Sequence, residues 1–175
     1  MSLPIAGRRT EAATEAVERL VHEHYASVYR FCARRIGDQS AFDAAQETFL
    51  TAQKCWHKFR GESSERTWLL GIAMNQCRTI ARKRKVEPLG LENWLDDPSP
   101  GDLQTDVVQR EDLRRALAQL SPEHREIILL HEIEGLRYAE AARLLGVPEG
   151  TLKSRLHYAF KELRALLSVP EGAYR

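Results

Sequence analysis

The chain has 175 residues, with 26 Lys and Arg against 25 Asp and Glu and 43% hydrophobic residues. It is too apolar to be disordered, normally charged for a soluble protein, and long enough for one domain or two small ones. No run approaches the ~20 apolar residues that span a bilayer, and Met1 to Glu15 has no signal-peptide core, so a cytoplasmic chain without membrane insertion is expected. Cys32, Cys55 and Cys77 are odd in number and widely spaced, which argues against a disulfide framework.

The near-neutral total conceals segregated charge. Arg78 to Lys85 carries five basic residues and no acidic one. Val86 to Gln109 carries six acidic residues and no Lys or Arg, and Gly150 to Arg175 has five basic residues against two acidic. Two basic segments separated by an acidic one say more about partners than the net charge does.

Strand signals are nearly absent, and Ala, Leu, Glu, Arg and Gln favour an all-α fold. Met1 to Ala13 is expected to lack structure. A first helix is predicted from about Thr14 to Ile36, with Val17, Leu20, Val21, His24, Val28, Phe31 and Cys32 recurring at three and four; Gly37 ends it. A second helix, about Ser40 to Phe59, places Phe42, Ala45, Phe49, Ala52 and Trp56 on one side. Ser63 or Ser64 caps a third, with Glu65 in its first turn and Trp68, Leu69, Ile72, Ala73 and Ile80 along it, running into Arg82-Lys83-Arg84-Lys85. Residues 87–105 contain Pro88, Pro98 and Pro100 and read as an acidic linker, in which Trp94 and Leu95 are expected to dock.

Helices resume near Asp106 to Leu120. Ser121-Pro122-Glu123 is a strong start signal for another helix, to about Glu134, which Gly135 ends. Tyr138 to Leu145 and about Pro148 to Leu167 close the chain. The predicted organisation is two small helical domains, residues 14–86 and 106–168, with a tail at 169–175.

The last two helices have the pattern of a helix-turn-helix. Ala142 is small where the helices cross, Gly146 allows a positive φ at the turn, and Val147, Leu152, Leu144 and Leu145 close the core. A purely structural corner would mix charges on its outer face, yet no acidic residue occurs from Gly150 to Lys161. Thr151, Lys153, Ser154, Arg155, His157, Tyr158 and Lys161 therefore form a candidate DNA-reading face. Its early residues would reach base edges, and Lys161 and Arg164 would meet phosphates.

Four blocks occur in order: Asp43-Ala-Ala-Gln-Glu-Thr-Phe49, Phe59-Arg-Gly-Glu-Ser-Ser64, Thr67-Trp-Leu-Leu-Gly-Ile-Ala-Met-Asn75 and Gly150-Thr-Leu-Lys-Ser-Arg-Leu156. Together, over roughly residues 16–168, they resemble the extracytoplasmic-function group of bacterial RNA polymerase sigma factors, the two-domain members of the sigma-70 family. The resemblance implies a non-enzymatic protein without cofactor that directs core polymerase to promoters. Asp43, Gln46, Glu47 and Phe49 match the region that docks on the clamp helices of the largest polymerase subunit. Trp68, Asn75, Arg78, Arg82, Lys83 and Arg84 match the segment that binds the −10 element, with Asn75 at the loop that captures a flipped base of the melted strand. Thr151 to Lys161 match the helix that binds double-stranded −35 DNA. The acidic linker resembles the segment that threads the polymerase channel, and an anti-sigma partner is implied.

Departures accompany the match. Ser40, Ala41 and Phe42 stand where acidic residues precede the docking motif, so weaker docking, or an apolar contact through Phe42, is expected. Glu65, Gln53 and Thr79 also differ from the common pattern, and Tyr158 replaces a frequent Arg. A helix-turn-helix regulator with a sensor domain is the alternative that the second half alone allows. An enzyme built on His22, His24, Cys32, Cys55, His57 and Cys77 would need ligand spacings that Cys55-Trp56-His57 does not offer, and Cys32 and Cys77 read as buried thiols.

Overall fold

In the computed structural model the described backbone covers residues 5–84 and 107–167, and the described side chains cover 13–83 and 111–167. The linker and tail predictions, including Trp94 and Leu95, lie outside the described residues. Among the described residues every regular element is helical, and the chain divides into two compact units, Met1–Pro88 and Leu89–Arg175.

The first unit packs α1 (Ile5–Ile36), α2 (Asp38–Cys55) and α3 (Glu65–Arg84) against one another. Helix α1 begins at Ile5 rather than near Thr14, which corrects the expectation of an unstructured N-terminus. Residues 5–13 contain no Pro and include three Ala and two Arg, so they extend a helix already nucleated by packing. Gly37 is the only residue between α1 and α2. At φ 75° it adopts a conformation that a side chain would strain, its N–H donates to the Ala33 carbonyl at 2.9 Å, and its own carbonyl accepts from Ala41 at 3.1 Å.

The inward face of α2 is made of small residues. Ala41, Ala44, Ala45 and Ala52 are fully buried and let the helix approach its neighbours closely. Buried Thr48 is satisfied by donating to the Ala44 carbonyl at 2.7 Å. Leu20, Val28, Phe31, Leu69, Leu70 and Met74 fill the centre. Cys32 and Cys77 join them as free, buried thiols. The Cys77 thiol is held below the usual thiol range, chiefly by its hydrogen bond with Cys32 and further by the Arg35 charge.

The second unit comprises α4 (Val107–Gln119), α5 (Pro122–Ile128), a π-helical turn (Leu129–Ile133), α6 (Tyr138–Leu145) and α7 (Glu149–Leu167). Ser121 caps α5 as its sequence predicts, its hydroxyl accepting from the His124 N–H at 3.2 Å. The helix predicted to reach Glu134 instead widens after Ile128. The Glu134 N–H donates to Leu129 and the Leu136 N–H to Leu130, at 2.9 and 3.0 Å. Ile127 to Leu130, Leu136, Ala141, Ala142, Leu152, Leu156 and Ala159 form the core.

Candidate nucleic-acid interface

The start of α3 is fixed by Ser64, whose hydroxyl accepts from the Thr67 N–H at 3.0 Å. Beside it Trp56, on a 3-10 turn (Trp56–Lys58), Phe59 and Trp68 form a half-exposed aromatic cluster, with ring centroids 5.2 to 5.7 Å apart. At about 100° per residue, Trp68, Ile72, Asn75, Thr79 and Arg82 fall on one stripe of α3, with Arg78 on its edge. Asn75, Arg78, Arg82 and Lys83 are exposed, and Trp68, Ile72 and Thr79 are half-buried. The face thus offers an amide that can donate and accept, a ladder of cations and an aromatic patch, groups that suit an unstacked base and its backbone. The side chain of Arg84 lies outside the described residues.

The outer face of α2 carries Asp43, Gln46 and Glu47, all exposed. Phe49 does not join them. It is 6% exposed and stacks on Tyr25 at 6.1 Å, because it follows the alanine face inward; its place is the core. Of the three departures before the docking motif, Ser40 and Ala41 are buried and only Phe42 faces solvent, at 51% exposure. Leu50, 49% exposed, lies on the same ridge two turns on, a neighbour that its i, i+8 spacing from Phe42 could have identified.

In the second unit Gly146 ends α6 at φ 68° and ψ 31°. The Val147 N–H returns to the Ala142 carbonyl at 3.1 Å, which closes the turn. The Arg137 N–H donates to the Glu140 carboxylate at 3.0 Å and fixes the start of α6. His131, in the π-helical turn, bonds the Leu136 carbonyl at 2.7 Å and stacks on Tyr138 at 4.3 Å, seating α6 on the unit.

On α7, Leu152 and Leu156 point into the core, while Lys153, Ser154, His157, Tyr158 and Lys161 are exposed and Thr151 and Arg155 half-buried. All seven predicted residues are therefore accessible. The Ser154 hydroxyl donates to the Thr151 carbonyl at 2.9 Å, which leaves its oxygen able to accept a further hydrogen bond. Lys153 is raised above its ordinary pKa, first by its hydrogen bond to Glu149, and its ammonium sits 5.2 Å from the Tyr138 centroid. Arg155 reaches Glu123 of α5 at 3.4 Å. Neither carboxylate was assigned from sequence.

One grouping among the described residues could hold an ion: Glu23, His24 and Glu65. Arg19 already engages both oxygens of Glu65, at 2.6 and 2.9 Å, and fills that place with an internal cation. None of the described helices is long and apolar enough to cross a membrane.

Sigma-70 region 2 matches residues 20–86, and sigma-70 region 4 matches residues 110–163. The chain is similar to the ECF RNA polymerase sigma factor SigL of Mycobacterium tuberculosis, 37% identical over 166 residues, or 89% of this chain and 92% of SigL. It is 32% identical to RNA polymerase sigma factor YlaC of Bacillus subtilis over 158 residues, 86% of this chain and 91% of YlaC. With the ECF sigma factor SigE of Mycolicibacterium smegmatis it shares 34% identity over 166 residues, 90% of this chain, and spans 64% of SigE. Among solved structures it is similar to the sigma factor RpoE of Bartonella quintana, in a complex with the anti-sigma factor NepR, with TM-score 0.66 and 26% identity over 87% of this chain and 96% of that one. The chain belongs to the extracytoplasmic-function RNA polymerase sigma factors of the sigma-70 family, non-enzymatic factors that direct transcription initiation.

Proposed function

We propose that the two units divide promoter recognition between the exposed faces of α3 and α7. The carrying observation is that the chain presents two separate cationic surfaces, one with an exposed amide and aromatics and one on the second helix of a helix-turn-helix. Through α7 the chain reads duplex −35 DNA: Thr151, Lys153, Ser154, Arg155, His157 and Tyr158 reach toward base edges, and Lys161 toward phosphate. Through α3 it holds the −10 element. Asn75 hydrogen-bonds an extruded base, Trp68 and its aromatic neighbours supply apolar surface, and Arg78, Arg82, Lys83 and Arg84 track the strand. Extruding a base costs a few kcal/mol, and these contacts offset it.

The outer face of α2 docks on the clamp helices of the largest polymerase subunit through Asp43, Gln46 and Glu47. Phe42 and Leu50 add apolar area, and Phe49 supports the helix from within. The acidic linker occupies a polymerase channel suited to a polyanion. The factor works in the cytoplasm with the polymerase. An anti-sigma protein is a further partner, supported by the Bartonella RpoE structure being such a complex.

Permanganate probing of a promoter bound by the reconstituted holoenzyme tests the assignment. Wild-type chain makes thymines of the −10 region reactive. Asn75→Ala leaves the promoter bound through α7 and strongly reduces that reactivity; full reactivity in the variant would contradict the role given to Asn75.

A further inference from the structure

Both cations in the base-reading stretch of α7 are engaged by carboxylates of the chain itself. Lys153 Nζ lies 2.6 Å from Glu149 Oε1, one turn back on the same helix, and Arg155 Nη1 lies 3.4 Å from Glu123 Oε2 in the first turn of α5. Further along α7, no carboxylate among the described residues pairs with Lys161 or Arg164. Among the described residues, then, the cations suited to phosphate contact have no carboxylate partner, whereas those suited to base edges each have one.

Phosphate and base respond differently to this pairing. Attraction to the phosphate backbone depends on net charge and supplies essentially all non-specific binding. A guanine O6 or N7 needs only a correctly placed N–H. Arg155 meets Glu123 through one nitrogen, and a lysine ammonium has three protons, so each pair cancels charge while leaving donors to spare. We infer that Glu123 and Glu149 are specificity-determining residues of the −35 reader, internal counterions that hold Arg155 and Lys153 off arbitrary phosphates and leave their remaining donors for base edges. The inference rests on α7 being the DNA-reading helix. It assigns Glu123, outside the helix-turn-helix, a part in sequence discrimination.

The test is fluorescence anisotropy of the full-length chain on a short random-sequence duplex, titrated between about 50 and 200 mM salt. Glu123→Gln and Glu149→Gln each tighten binding, and each steepens the salt dependence by about 0.9 per cation released, about eightfold in affinity per decade of salt. Glu149→Asp, which keeps the charge, restores wild-type binding. In selection from a random duplex pool, the double Gln variant enriches a less sharply defined sequence than wild type. Lys161→Ala separates the two layers of the reading. If it weakens binding while the Gln variants keep wild-type affinity and slope, the counterion role is overturned and α7 remains the reader. Weaker binding by the Gln variants also overturns the role and marks the pairs as structural. If Lys161→Ala has no effect on DNA affinity, α7 is not the reader and both readings fall.

Discussion

Arg19 grips Glu65 fork to fork, Nη2 on Oε1 at 2.6 Å and Nη1 on Oε2 at 2.9 Å, and so ties α1 to the first turn of the helix that carries Asn75 and Arg78. This hydrogen bonding holds the Glu65 carboxyl below its ordinary value of 4.5, against a smaller opposing effect of burial. A depressed carboxylate pKa contributes stability that is complete above the unfolded value and is lost as pH falls through the folded one. Glu65→Gln should therefore lower Tm at neutral pH, with the gap to wild type closing in acid. Thermal melts followed by circular dichroism, from neutral pH down to about pH 3, check this. A gap independent of pH would contradict it.

Gly146 offers a clean test of the helix-turn-helix. A Cβ there would meet nothing within 4 Å, so the cost of Gly146→Ala is that of a left-handed backbone alone, about 1–2 kcal/mol. Gly146→Asn, which tolerates that conformation better, should cost less. Chemical denaturation of the three proteins measures the order. An alanine variant as stable as wild type would contradict the turn geometry.

Phe42 and Phe49 lie two turns apart on the same side of α2, but Tyr25 of α1 stacks on Phe49 while Phe42 is left open to solvent. Phe49→Ala empties a buried, stacked position and should cost about 3–5 kcal/mol. Phe42→Glu changes a surface position, and its effect on stability should stay within about 0.5 kcal/mol. It should nevertheless change affinity for core polymerase. Equilibrium binding to purified core, beside unfolding curves, separates the two, and unchanged core affinity in Phe42→Glu would remove Phe42 from the docking face.

Local signals were legible wherever a few adjacent residues decide the structure. Ser121-Pro122 starts α5, Gly146 stops α6, and Ala142 sits at the crossing, all within one or two turns of sequence. The stripe on α3 could be read because Trp68, Asn75 and Arg82 recur at multiples of seven. Phe49 shows the limit of resemblance: its own periodicity, shared with Ala45 and Ala52, already pointed inward. The start of α1 at Ile5 was missed because a polar, helix-favouring segment has no apolar face to count. The π-helical turn was hidden because it begins within the apolar run Ile127 to Leu130, which any helical winding would bury. The pairing of Arg155 with Glu123 could not be read at all, since it depends on how α5 and α7 pack.

Tyr158 and Lys161 should part company in DNA recognition. Tyr158 is 59% exposed on α7, and in the proposed reading it would contact one base step, so Tyr158→Ala should relax preference there by about 1–3 kcal/mol and leave other positions unchanged. Lys161→Ala weakens all sequences alike and reduces the salt slope by about 1. Binding to a panel of singly substituted −35 duplexes distinguishes the patterns. A uniform loss in Tyr158→Ala would place that ring against the backbone instead.

The division of labour between α3 and α7 is tested most directly by run-off transcription from fragmented genomic DNA with purified bacterial core polymerase. Adding the chain should produce discrete new transcripts, and both Asn75→Ala and Arg155→Ala should abolish them while each variant still binds core. Transcripts that persist in either variant, or DNA binding by the wild-type chain without initiation, would contradict the account.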